Sequence, residues 1–183
     1  PGQLWLANRD GGLAEVDLHT GLVKRWPIQP AATVVQKPTL LRHVIQDVTG
    51  KVWLGTDAGL FWLDQQTGDW QLEPLQTGAV QPHIGVLLLD QKQQLWIGSR
   101  GDGLFRLNAA GVTQYRHDLA SDVGLASNTI STLQTDYLDD VWIGYADQGI
   151  SRLDQMTGKI QSWREGTPQA AGLTFNGIQL IYR

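Results

Sequence analysis

Four tryptophans fix what this chain can become. Trp5, Trp53, Trp96 and Trp142 each sit in a short apolar run: Leu4-Trp5-Leu6-Ala7, Val52-Trp53-Leu54-Gly55, Leu95-Trp96-Ile97-Gly98 and Val141-Trp142-Ile143-Gly144. Each run passes through a small polar loop closed by Gly into a second apolar run: Leu13 to Asp17, Leu60 to Asp64, Leu104 to Asn108 and Ile150 to Asp154. The tryptophans stand 48, 43 and 46 residues apart. A repeat of that length made of short strands predicts a β-propeller or a similar array.

One unit shows what the strands are. Leu41 to Asp47 is a mostly apolar run (strand A), and Val48-Thr49-Gly50 reads as a turn. Lys51 to Thr56 is strand B, Leu60 to Asp64 strand C and Asp69 to Glu73 strand D. Runs of about five residues between turn signals predict an antiparallel meander. Strand D carries one aromatic each time: Trp26, Trp70, Tyr115 and Trp163. From that aromatic to the end of the next strand A is 21, 20, 21 and 20 residues, ending at Asp47, Asp90, Asp136 and Arg183. From the strand-A Asp to the strand-B Trp is 6 residues in all three complete cases. The D-to-A connections, rich in Pro, Thr and Gln, are expected on the surface.

Strand B is apolar on both faces, whereas a sheet with one wet face would alternate. Sheets stacked radially, each between two neighbours, give such a strand two dry sides. A ligand-stacking role for the tryptophans is the other reading, and the apolar flanks favour packing. The expected fold is therefore all-β: a β-propeller of four-stranded antiparallel blades, with four blades in this chain. The repeats span roughly residues 1–26 plus 176–183, 41–73, 84–116 and 130–164, within one domain of 183 residues. The C-terminal strand, Asn176 to Arg183, is expected to complete the first blade. The ring closes on itself with four blades, or is half of a larger ring.

A net charge of -4 argues against a broad nucleic-acid surface. The absence of Cys excludes disulfides and thiolate metal sites. No stretch is apolar for long enough to span a membrane, so no direct membrane insertion is expected. A start at Pro1 in place of Met suggests a chain excised from something longer.

The run Asp47-Val48-Thr49-Gly50-Lys51-Val52-Trp53-Leu54-Gly55-Thr56, followed by Gly59-Leu60 and Leu63-Asp64, resembles the two-component regulator propeller repeat. Gly124-Leu125-Ala126-Ser127-Asn128-Thr129-Ile130, leading to Asp136, Trp142-Ile143-Gly144 and Gly149-Ile150, resembles its fullest form. Gln93 and Asp139 depart from the pattern at the Gly50 position, as do Ala7 at the Gly after strand B and Asn8 and Tyr145 at the Thr56 position. The resemblance implies the extracytoplasmic (periplasmic or extracellular) sensor half of a membrane-bound bacterial signalling protein. Its output half would be a histidine kinase or a diguanylate cyclase, and its ligand small, polar and often carbohydrate-derived.

Up-and-down parity puts the B-to-C loops and D-to-A connections on one end of the blades. The A-to-B and C-to-D turns lie on the other, and are short and repetitive. The B-to-C loops differ between repeats: Asn8-Arg9-Asp10-Gly11, Thr56-Asp57-Ala58, Ser99-Arg100-Gly101-Asp102 and Tyr145-Ala146-Asp147-Gln148. Variable polar residues on a repeated scaffold make the candidate ligand site. Arg9 and Arg100 can pair with carboxylate or phosphate groups. Asp10, Asp57, Asp102 and Asp147 can take sugar hydroxyls, and Tyr145 completes the set. The competing reading is that each Asp bonds its own turn. His83, before a strand A at the same end, is the one His singled out for test. No metal site, cofactor or catalytic constellation is expected. Two other functions compete with sensing. One is a propeller enzyme of the streptogramin-lyase-like type; the other is an interaction or oligomerisation scaffold, with a homodimer as its simplest form.

Overall fold

The computed structural model describes residues 2–8, 12–76, 80–118, 124–168 and 173–182. The chain falls into two compact units, Pro1–Ile84 and Gly85–Arg183. Within the described residues all regular elements longer than one residue are strands.

In the first unit, β1 (Gln3–Asn8), β2 (Gly12–Asp17) and β3 (Val23–Trp26) form an antiparallel sheet in that order. A second sheet holds β4 (Leu41–Gln46), β5 (Val52–Thr56), β6 (Gly59–Leu63) and β7 (Trp70–Glu73). One core joins them. Leu13 and Trp26 of the first sheet pack with Val52, Leu54, Phe61, Leu63 and Trp70 of the second. In the second unit, β8 (Ile84–Leu89), β9 (Leu95–Ser99), β10 (Leu104–Asn108) and β11 (Gly111–Tyr115) make the third sheet. The fourth holds β12 (Ile130–Thr135), β13 (Val141–Tyr145), β14 (Ile150–Leu153) and β15 (Ile160–Trp163). Here Trp96 and Leu104 of the third sheet pack against Leu133, Val141, Ile143, Tyr145 and Leu153 of the fourth. So within each unit the Trp-bearing face of one sheet meets the aliphatic face of the next. β5 and β9 are buried along their whole length, as the doubly apolar pattern predicts.

The spacing of 6 residues has a cause in the A-to-B turn. Trp53 Nε1 donates to Asp47 Oδ2 at 3.0 Å, Trp96 to Asp90 at 2.9 Å and Trp142 to Asp136 at 2.9 Å. The other oxygen gathers turn N–H groups: Lys51 at 3.1 Å onto Asp47, Gln94 at 2.8 Å onto Asp90 and Asp140 at 3.1 Å onto Asp136. One carboxylate thus closes the turn and satisfies a buried indole N–H that would otherwise be costly. Burial opposes ionisation of Asp47 and Asp136. Their hydrogen bonds outweigh it, Thr49 foremost at Asp47 and Trp142 at Asp136, and both carboxyls titrate below the usual range. Gln93 (φ 60) and Asp139 (φ 67) adopt the left-handed backbone of Gly50 (φ 88), so the two departures from Gly leave the turn unchanged.

The strand-C ends repeat a second turn. Asp17, Asp64 and Asp154 each accept N–H bonds from two and three residues ahead, and Asn108 accepts one from Ala110. Those bonds, led by Thr20, Gln66 and Thr157, hold the three carboxyls below their ordinary values.

Three expectations need correction. First, the strand-D aromatics are not one position. Trp26, Tyr115 and Trp163 face Leu13, Leu104 and Ile150, but Glu73 occupies that place opposite Leu60, while Trp70 faces Leu63. The three matching aromatics lie 6.4, 6.0 and 5.5 Å from their strand-B tryptophans. In the second sheet Lys51 fills this role, 3.9 Å over Trp53, 4.5 Å over Trp62 and 3.7 Å from Glu73. The similar spacing at Trp70 hid a D-to-A connection four residues shorter than the others, residues 74–83 against 27–40. Second, the D-to-A connections are not wholly superficial. Residues 29–31 run parallel to β7, with Trp70 N–H donating to Gln29 O at 2.8 Å, and Ala31 and Val34 join the core.

Third, residues 173–182 form no strand, and the first sheet has three strands. The fourth strand expected there from the C terminus is not formed among the described residues. Instead Asn176 and Ile178 dock on the fourth sheet, accepting from Gly149 N–H at 2.8 Å and donating to Tyr145 O at 2.8 Å. Asn128 docks in the same way on the third sheet, accepting from Gly103 N–H at 2.9 Å. Ile178 therefore matches Ile130, while Arg183, expected at the Asp136 position, lies outside the described residues.

Candidate ligand site at the loop end of the sheets

The backbone ties the B-to-C loops and the D-to-A connections together at one end of the sheets. Asp57 N–H donates to Leu40 O at 3.3 Å, Gly101 N–H to Asn128 O at 3.0 Å and Gly149 N–H to Asn176 O at 2.8 Å. The asparagine side chains reach the other way. Asn128 Oδ1 accepts from His117 N–H and Asn176 Oδ1 from Glu165 N–H, each at 2.8 Å. Each Asn thus clasps the loop before strand C and the chain leaving strand D. Gly103 and Gly149 have positive φ, and a Cβ on either would lie on the carbonyl oxygen of Tyr115 or Trp163. The clasp therefore requires Gly there.

The candidate residues divide by what they already hold. In the first unit Asp57 accepts from the N–H groups of Thr39 at 2.9 Å and Leu40 at 3.0 Å, and from the Thr39 hydroxyl. Burial opposes its charge, but the Thr39 and Leu40 bonds prevail and hold its pKa low. It is a loop clamp. His83 accepts on Nε2 from Arg42 Nε at 2.8 Å. That nitrogen can act as a base or ligand only by giving up the guanidinium. Arg9 and Asp10 lie outside the described residues.

In the second unit Asp102 sits 3.8 Å from the Arg116 guanidinium, with its N–H on Ser99 Oγ at 2.9 Å. Arg100 pairs through its backbone with Thr129 and its residue is exposed. Asp147 is exposed as well. Arg100, Asp102 and Arg116 give this unit two guanidinium groups and a carboxylate at its loop end. Tyr145 is not a surface residue. It is fully buried, its hydroxyl donates to Ser151 Oγ at 3.0 Å and accepts from Ala126 N–H at 3.2 Å. Burial pushes its pKa up to about 12. Its position after strand B, where Thr56 and Ser99 are also buried, belongs to the core, and it leaves the candidate set.

The sequence reading missed Arg116, which follows Tyr115 as Arg164 follows Trp163, a match that was available. It also missed Gln81. That buried side chain accepts from Leu75 N–H at 3.1 Å and donates to Gln76 O at 3.2 Å. Asn128 and Asn176 stood at matching places before an Ile, a signal that was available. A cavity of about 370 Å³ lies on the first sheet, lined by Leu6, Ala7, Asn8, Gly12, Leu13, Ala14 and Arg25. Among the described residues no group of three or more His, Asp or Glu side chains is placed to hold a metal ion.

Comparison with solved structures decides the architecture. The chain is similar to the extracellular domain of the hybrid two component system BT4673 from B. thetaiotaomicron, with TM-score 0.73 and 22% identity. That match covers 97% of this chain and 23% of that one. The fold is a β-propeller. A second extracellular domain, of the hybrid two component system BT3049 from the same organism, matches at TM-score 0.53 and 18% identity over 100% of this chain and 29% of that one. Virginiamycin B lyase from Staphylococcus aureus, as its H270A variant with quinupristin, matches at TM-score 0.68 and 13% identity, over 92% of this chain and 54% of that one. This chain thus spans about a quarter of the two extracellular domains and about half of the lyase. No family model matches it. No curated protein matches it either. The four sheets are propeller blades, the first with three strands described and the others with four.

Proposed function

We propose that this chain is a ligand-sensing propeller module from the extracytoplasmic side of a bacterial membrane-bound signalling protein, with no catalysis of its own. The observation that carries the reading is the division of labour between the blade ends. One end spends its carboxylates on repeated turns, through Asp17, Asp47, Asp64, Asp136 and Asp154. The other differs from blade to blade and presents Arg100, Asp102, Arg116 and Asp147. The likeness to two extracellular domains of two component systems supports the sensing role and the compartment. The ligand class that suits guanidinium and carboxylate side by side is a small polar molecule with hydroxyl and acidic groups, such as an acidic sugar.

A thermal-shift screen against neutral and acidic oligosaccharides tests this. An acidic sugar is expected to raise Tm, and Arg100→Ala with Arg116→Ala to abolish the rise without altering the ligand-free Tm by more than about 2 °C. Absence of a shift with every sugar, or a shift that survives the double substitution, would sink the reading. The lyase likeness keeps an enzymatic reading in view. Its one candidate base, His83, is held by Arg42, so turnover that His83→Ala abolishes would be needed to favour it.

A further inference from the structure

At the loop end of the third blade one imidazole ring is pinned on one side and open on the other. His117 follows Arg116 in the connection leaving β11 and is half-buried. Its backbone N–H donates to Asn128 Oδ1 at 2.8 Å, and its Nδ1 lies 2.6 Å from Leu125 O. A carbonyl oxygen only accepts, so Nδ1 carries the proton of the neutral ring and Nε2 presents a lone pair. Among the described residues nothing donates to Nε2, and it is not sealed from solvent. The groups that hold the ring are themselves fixed. Leu125 is buried in the core of this unit, and the next N–H, of Ala126, donates to the buried Tyr145 hydroxyl at 3.2 Å.

Asn128 joins this ring to the candidate site. Its side chain takes the His117 N–H, and its carbonyl takes the N–H groups of Gly101 and Gly103, which flank Asp102. Asp102 in turn pairs with Arg116, the neighbour of His117. The other histidine considered at a loop end, His83, already receives the Arg42 N–H on its Nε2. Arg100 and Arg116 only donate, and Asp102 faces Arg116. The imidazole supplies what this set lacks, a neutral acceptor whose direction is fixed. We propose that His117 Nε2 accepts a hydrogen bond from a hydroxyl of the ligand, while the guanidinium groups take the ligand's acidic group. This rests on the sensing role proposed above and adds to it a specificity-determining residue. An acid that carries hydroxyl groups is selected over a bare anion, because only the former can satisfy both parts of the site.

His117→Asn separates this role from that of a mere tie. The Asn side-chain N–H stands where Nδ1–H stands and can still meet Leu125 O, but nothing stands at the Nε2 position. The probe is D-glucuronate with its monodeoxy analogues, titrated calorimetrically into the 183-residue chain. His117→Asn is expected to keep Tm within about 2 °C and to bind glucuronate about tenfold more weakly. One deoxy analogue should lose about tenfold with the parent chain and nothing further with His117→Asn, which couples that hydroxyl to that nitrogen. The 15N spectrum of the ligand-free chain should show Nδ1 protonated, and the Nε2 resonance should move upfield as glucuronate binds. Three results would overturn the proposal: a neutral ring protonated at Nε2, undiminished binding by His117→Asn, or equal deoxy losses in both proteins. Should the variant lose more Tm than stated, the parent chain decides, and an Nε2 resonance that stays put under saturating glucuronate is the contrary result. Binding that Arg100→Ala with Arg116→Ala abolishes but His117→Asn keeps defeats this proposal alone. Failure of glucuronate to bind the parent chain defeats it together with the acidic-sugar reading.

Discussion

The first and fourth blades carry the same Trp-centred strand and differ in what covers it. Val141 and Ile143 are lost to solvent because β12 lies beside β13 and Ile178 lies against Gly144. Leu4 and Leu6 stay half in water: among the described strands β1 pairs with β2 alone, although β4 lies near it. The hairpin that bears the Trp therefore does not dry it. Drying needs the strand before it, and that strand also delivers the Asp that satisfies the indole. The repeat is a two-part device of hairpin and preceding strand.

The largest expected effect lies at the loop clasp. Gly149→Ala places a Cβ on the Trp163 carbonyl at a positive φ and is expected to cost about 3 kcal/mol or more. In the first blade Gly12→Ala meets the Trp26 carbonyl oxygen at 2.9 Å and should cost about 1–2 kcal/mol. Urea denaturation of the two variants checks the order, and equal costs would break the contrast between blades.

Next comes the clasp on the indole. Asp136→Ala leaves the Trp142 N–H and the turn amides without acceptors, an expected loss of about 2–3 kcal/mol. Trp5→Phe removes no hydrogen bond and should cost about 1 kcal/mol or less. A double comparison by chemical denaturation reads both, and a Trp5→Phe cost matching that of Asp136→Ala would show that the Trp5 indole N–H has an acceptor after all.

Acid should weaken the A-to-B turns of the second and fourth blades. The folded-state carboxyls of Asp47 and Asp136 titrate below their unfolded value of about 4. Their contribution is complete above that value and is lost as pH falls through the lower folded-state pKa. Stability is therefore expected to fall below about pH 4, and more gently when Asp47→Asn and Asp136→Asn are combined. An unchanged acid limb in that variant would remove these carboxylates from the account.

How far the sequence reached depends on what each signal measured. Periodicity saw the strands to within a residue or two, because burial on both faces leaves a doubly apolar run that only a stacked sheet explains. It also saw the Asp-to-Trp interval, but an interval does not say that the two side chains touch. Counting misled at Trp70, where an aromatic three residues early disguised a short connection. The error arises because spacing alone cannot tell register from loop length. The loop end was the least legible. Asp57 and Tyr145 look like ligand residues in a string of letters. Only their partners, Thr39 and Leu40 for one and Ser151 and Ala126 for the other, show that the fold has already used them.

The smallest expected effect concerns the turn that Gln93 and Asp139 share with Gly50. Gln93 is exposed and left-handed, so Gln93→Gly should raise stability by about 0.5–1 kcal/mol. A loss in Tm would mean that the side chain does more than tolerate its backbone.

Exchange of the four strand-B indole protons with deuterium tests the central claim most directly. Trp53, Trp96 and Trp142, each held by a carboxylate, should exchange slowly and resolve as a protected group, while Trp5 exchanges much faster. Four indoles exchanging at one rate would contradict the claim that the preceding strand and its Asp, rather than the Trp hairpin itself, close each blade.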